Sequence, residues 1–362
     1  MSLVASQPRA SRALHWFAVF TGLWALMVVS IGGLVTSKGV GMAVPDWPTT
    51  YGYNMFFFPF RLWDGGIFHE HLHRLVASGL GFFTLILAVW SSSVRRATSI
   101  RTLVWTAAVL VIVQGILGGK RVLLNGVDVF GIPGSLFFGV LHAMTAQIFL
   151  GLLAVIALLT HPGWASGQFE APSARRGKWI AGLTGLTLLQ LMIAATMRHQ
   201  HAGLAIPDFP LAYQHFYPPT DQAFLVGLNQ KRLGIVDDAP VTAFQIHLQM
   251  MHRLVAVLLL SGAVALWVSC RRESRLWRKV LGGWLALYGV QFCLGAATVW
   301  TNKAADVATV HVSVGAFTLA CGALLSVARF VAEHQFRMAF QPCSPAEALL
   351  KTPAESGVCR IL

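Results

Sequence analysis

Eight stretches of mostly apolar residues dominate this chain, near 14–36, 69–92, 102–119, 135–160, 179–197, 243–269, 280–300 and 306–331. A span of about 18–25 residues is what a helix needs to cross a bilayer core of about 30 Å. In lipid the backbone must satisfy its own polar groups, so apolar runs of this length predict helices. The fold class that follows is an all-α integral membrane protein with eight transmembrane helices. Only 11% of the residues are charged, against about 25% in a soluble domain.

The net charge of +13 does not point to nucleic acid. Its basic residues are scattered over short connections between apolar runs, which is the footprint of membrane topology. Seventeen of the 27 lie in the N-tail, the connections near 93–101, 161–178 and 270–279, and the C-tail, and eight lie in the opposite connections. The positive-inside rule then predicts a multi-pass protein of the cell inner (plasma) membrane with both termini cytoplasmic. The two remaining basic residues, Arg74 and Arg253, each directly follow a histidine inside a span. The first apolar run lacks a clear small-residue cleavage site after it, so it reads as a retained span. Five scattered cysteines with no CxxC or CxxCH exclude a zinc ribbon and covalent c-type haem.

The chain repeats internally. GMAVPDWPTTY (41–51) matches GLAIPDFPLAY (203–213), and HLHRLVA (71–77) matches the end of QMMHRLVA (249–256). Gln114-Gly115-Ile116-Leu117-Gly118 then matches Gln291-Phe292-Cys293-Leu294-Gly295, in the same order. With four spans each, the halves share topology and relate by an axis along the membrane normal. The sequence therefore predicts two pseudo-symmetric four-helix bundles: residues 1–165, a cytoplasmic linker at 166–178, residues 179–335, and a cytoplasmic tail at 336–362.

Four histidines occupy matching places, each near the start of a span: His73, His142, His252 and His311. By the predicted topology all four lie toward the outer face. An intramembrane imidazole is costly unless it binds something, and neutral imidazole suits haem iron. The quartet reads as two bis-histidine haem sites, with His73, His142, His252 and His311 as iron ligands. Arg74 and Arg253 stand beside them as candidates for the haem propionates. Glu70 precedes His73 by three residues, where Gln249 precedes His252. Binding is duplicated by this reading, while an acid for chemistry is not. Glu70 and Arg74 are also spaced for an i, i+4 ion pair.

His71 is predicted to face away from His73, His69 and His247 to sit at the interface, and His199, His201 and His215 to lie in a solvated loop. Asp46 and Asp208 are expected to fix their loops by Asx-type bonds. The run 55–60 is expected at the interface or against an apolar ligand.

Taken together, these motifs resemble the haem A synthase family over about residues 14–331. The resemblance implies oxidation of the C8 methyl of haem O to a formyl group, through hydroxylated intermediates, for aa3-type terminal oxidase biogenesis. It implies His73 and His142 about the substrate haem O, His252 and His311 as ligands of a haem b, and Glu70 as the essential acid. Its implied partners are haem O synthase, the terminal oxidase assembly machinery, and a membrane electron donor or acceptor. Homo-oligomerisation and the source of the inserted oxygen stay open. Some members carry a cysteine pair in the first outer loop; here none falls between positions 37 and 68. The alternative is a di-haem b electron-transfer cytochrome without substrate conversion. A transporter fits less well, because paired Gly/Pro breaks in the spans are not evident.

Overall fold

The computed structural model describes residues 9–94, 98–162, 173–232, 240–271 and 274–339. Residues 166–172 of the expected linker, and the expected tail beyond 339, lie outside the described residues. The helices are α1 (Arg9–Ser37), α2 (Gly65–Ser93), α3 (Thr98–Leu123), α4 (Gly134–Thr160), α5 (Ala174–His199), α6 (Gln222–Arg232), α7 (Ala243–Ser269), α8 (Arg275–Trp300) and α9 (Ala305–Ala339). All except α6 are long and apolar enough to cross a membrane. The protein is all-α and multi-pass.

Hydroxyls within the spans turn back onto their own helices. Thr21 donates to the Phe17 carbonyl, Thr84 to Leu80 and Thr160 to Ile156. That satisfies a polar group where no water is available. Several helices outrun their apolar stretches because backbone bonding continues until a cap or turn ends it. α2 starts at Gly65, α3 reaches Leu123, and α5 runs through His199. α7 opens on a capping box between Thr242 and Gln245. The span pattern does not mark α6 or the small antiparallel pair β1 (Asp128–Val129) and β2 (Ile132–Pro133).

Two rings of four helices result. α1 packs on α2 and α4, with α3 between them; α5 packs on α7 and α9, with α8 between them. The rings meet through α1 on α9, α4 on α5, and α4 on α9. The first two contacts are equivalent under the repeat, and the third lies at its pseudo-axis. Small residues let this seam close. Gly33 meets Val312 and Thr309, and Ser313 donates to Ser30 at 2.8 Å.

The loops after α1 and α5 fold alike. Asp46 accepts the N–H groups of Tyr51 and Gly52 and the Thr49 hydroxyl, and Asp208 accepts those of Tyr213 and Gln214. Tyr51 and Tyr213 each donate a hydroxyl to the carbonyl eight residues earlier, Ala43 and Ala205. Both loops carry a cis X–Pro bond, Trp47–Pro48 and Phe209–Pro210. Partial burial disfavours the Asp46 anion, but the bonds from Gly52, Thr49 and Tyr51 outweigh that and hold its carboxyl below the ordinary 3.8. The Asx-type role expected of both aspartates is what they perform.

Trp47 of the first loop lies against α3 at Gly119, where a Cβ would come within 2.3 Å of the indole. A rigid ring between loop and helix cannot yield by rotating one bond. Gly119→Ala is therefore expected to cost about 1–3 kcal/mol by overpacking. Thermal unfolding in detergent checks this; an unchanged midpoint would show that the loop shifts freely.

Candidate functional site

The four histidines lie within the first ten residues of α2, α4, α7 and α9, all toward the end of the bundle that carries the two PD[WF]P loops. In each ring the two imidazoles come from helices on either side of α3 or α8. Glycines on facing helices make room for three of the four. A Cβ at Gly32 would fall 2.9 Å from the His73 ring; at Gly118 and Gly295 it would fall 3.2 and 3.4 Å from His142 and His311. The last two are matched positions of the repeat.

His142 Nδ1 lies 3.1 Å from the Gln114 carbonyl. A carbonyl only accepts, so Nδ1 carries the proton and Nε2 is left with its lone pair, the tautomer a metal needs. Gln114 in turn donates to the His142 carbonyl at 3.1 Å. His73, His252 and His311 each keep a buried Nδ1 with no partner among the described residues. Burying such an atom without a partner costs free energy. The rings of His252 and His311 are 6.4 Å apart, centroid to centroid. Two metal–imidazole bonds of about 2.0–2.1 Å each, plus the two half-rings, come to about 6 Å. The second pair therefore fits an iron held between two imidazoles.

That pair faces a cavity of about 1100 Å³, slightly larger than the about 300–1,000 Å³ typical of small-molecule sites. Gln190, Tyr288, Gln291 and Phe292 line it beside His252 and His311. Gln190 donates to the His252 carbonyl at 2.9 Å. His73 and His142 are not among its lining residues. The two histidine pairs, alike in sequence, thus differ in their surroundings.

Glu70 and Gln249 are both buried, 4% and 3% exposed. Glu70 accepts the Val44 N–H at 2.9 Å, and Gln249 accepts the Ile206 N–H at 2.7 Å. Val44 and Ile206 are equivalent, each just before its PD[WF]P core. Gln249 also donates to the Ile206 carbonyl at 3.0 Å. Glu70 pairs with Arg74 at 2.8 Å, the one ion pair among the described residues. Arg74 further donates to the carbonyls of Val44, Asp46 and Thr49. Arg253 donates to Asp208 and Leu211 and lies over the Phe209 ring at 5.4 Å. Both arginines hold their loops onto the helix that carries the histidine.

His71 faces away from His73, as its spacing predicts, and is fully buried. It meets the Thr50 hydroxyl at 3.1 Å and packs between Phe58 and Trp63. Phe58 is the buried member of the aromatic run; Phe56, Phe57 and Phe60 are exposed. His69 bonds Lys38 at 2.9 Å, and His201 and His215 are exposed as expected.

His199 corrects the sequence reading. It is not a solvated loop residue but the last residue of α5, half-buried across the seam against Gly139 of α4, where a Cβ would come within 2.7 Å of its ring. The apolar stretch ends at 197, two residues before the helix does. Arg121 and Arg198, which enter the cavity wall from α3 and α5, carry no signal of that place in the sequence. Their positions at helix ends made them look like topology markers.

A family model described as cytochrome oxidase assembly protein matches residues 64–322. The chain is 27% identical over 319 residues to a protein named heme A synthase in Geobacillus kaustophilus, covering 86% of this chain and 88% of that one. A heme A synthase of Bacillus licheniformis is 27% identical over 331 residues, covering 88% and 98%. One from Bacillus mycoides is 25% identical over 311 residues, covering 83% and 88%.

Proposed function

The chain belongs to the cytochrome oxidase assembly protein family, and from that premise we propose that it is a haem A synthase. It oxidises the C8 methyl of haem O to a formyl group through hydroxylated intermediates, for an aa3-type terminal oxidase. The half at 1–165 takes haem O as substrate between His73 and His142. The half at 179–335 holds a haem b between His252 and His311, with 166–178 as linker and 336–362 as tail. Bound haem b supplies one-electron transfer.

One observation carries this reading. Glu70 and Gln249 make the same bond to the equivalent backbone N–H of Val44 and Ile206. An amide is thus sufficient to make this bond, and the loop does not require the negative charge at position 70. Arg253 likewise holds its loop with an amide, not an acid, at the position four residues before it. A carboxylate has about four lone-pair positions, and only one acceptance per oxygen is used here. Each Glu70 oxygen can still accept a proton or stabilise a developing positive charge at the substrate's edge. A symmetric di-haem electron carrier has no use for such a difference between its halves.

Arg74 and Arg253 support the two haem sites through the loops they hold. The distribution of basic residues supports cytoplasmic termini in the plasma membrane, with the loop-bearing end outward. Haem O synthase, the oxidase assembly machinery and a membrane electron partner follow as associates.

Co-expression with a haem O synthase, followed by chromatography of the extracted haems, tests the proposal. Haem A and its hydroxylated precursor are the expected products. If both are absent while haem O accumulates, the synthase reading fails.

A further inference from the structure

The cavity beside His252 and His311 is lined by five basic side chains, Lys38, Arg121, Arg198, Arg253 and Lys303, and by no aspartate or glutamate. Such a wall suits an anionic ligand. Four of the five are already served. Arg253 donates to loop carbonyls, and Arg198 donates to the Gly33 carbonyl at 2.7 Å and to the Ser37 hydroxyl. Lys38 bonds His69, and Lys303 is exposed to solvent. Arg121 differs. Its Nε is buried without a hydrogen-bond partner among the described residues, and its charged and titratable neighbours include Glu70, His73, His142 and Arg198. It packs under the first loop at Gly41, where a Cβ would come within 2.9 Å of it. A guanidinium presents up to five donors in a fixed fork that matches a carboxylate or phosphate.

Arg121 belongs to α3, in the half that does not carry His252 and His311. It reaches their cavity because α4 and α5 bring the loop-bearing ends of the two rings together. We infer that Arg121 receives a carboxylate of the porphyrin bound between His252 and His311, so that the haem b site is completed by a side chain of the other half. The inference rests on the haem reading above. The chemistry required is an oxyanion attached to a flat apolar body facing the two imidazoles. A lipid phosphate offers the same oxyanion, but not the body that the histidine pair and the rest of the cavity accommodate.

The test uses the full chain, purified, stripped of haem and titrated with ferric protohaem or with its dimethyl ester, whose carboxylates are blocked. Binding is read from the Soret band. The wild type is expected to prefer the free acid by about tenfold or more. Arg121→Gln should lose most of that preference by weakening the free acid alone, and should lower the midpoint potential of the bound haem, since a nearby positive charge is removed. Arg121→Lys keeps the charge without the fork and should recover part of the preference. Should Arg121→Gln not purify, Arg121→Lys still decides: selective weakening of the free acid supports the inference, and equal weakening of both porphyrins overturns it. Undiminished preference in Arg121→Gln also overturns it. Loss of co-purifying phospholipid with preference intact would assign Arg121 to a lipid instead, and overturn it equally. If wild-type protein binds neither porphyrin, it is the haem reading that fails.

Discussion

Glu70→Gln is expected to stop haem A formation while the protein stays folded and retains its haem b. The change turns the first half into the arrangement that the second half already has. Gln249 accepts the Ile206 N–H and donates to the Ile206 carbonyl, so glutamine at 70 has an equivalent bond to Val44 waiting for it. Arg74 loses one partner but keeps three loop carbonyls. Stability should therefore change little, while a positioned acid or base is worth about 10²–10⁴-fold in rate. The ratio of haem A to haem O in extracts is the measurement, with the haem b spectrum and thermal midpoint as controls. Full conversion in this variant would refute a catalytic Glu70 and leave it as a loop anchor alone.

The second large effect is expected at the other pair. His252→Ala or His311→Ala should lose the resident haem b spectrum. The rings are 6.4 Å apart across the cavity, at the spacing of two imidazoles on one iron. Removing an outer partner of a ligand costs about 10–100-fold in metal affinity, so removing the ligand itself should cost more. His73→Ala should do the reverse, retaining the haem b spectrum and losing conversion. Haem content per polypeptide and the reduced-minus-oxidised spectrum measure both. An unchanged spectrum in the His252 or His311 variants would move haem b to the first half.

The eight long helices were legible because lipid permits little else for twenty apolar residues. The histidine quartet and the Glu70/Gln249 difference were legible because the duplication supplies its own comparison. Helix ends were less so. Span α5 was expected to stop at 197, and the two further residues of the helix turn His199 from a loop residue into part of the seam. Arg121 was counted for its charge alone, since only tertiary packing brings the end of α3 to a cavity built on the other ring. Charge and position alone make the arginines after the histidines candidates for propionates. That their donors turn to Val44, Asp46, Thr49, Asp208 and Leu211 depends on loop geometry, which the sequence announced only as two aspartates between prolines.

Those bonds have a mechanical consequence. Within five residues, α2 carries both the strap that grips the first loop, Glu70 and Arg74, and the imidazole of His73; α7 does the same with Gln249, Arg253 and His252. Strap and imidazole share little more than one turn of helix, so neither can shift without the other. Each loop is a lever whose short arm is a histidine. A force applied to the surface of the protein at either loop is delivered, without slack, to the ring inside.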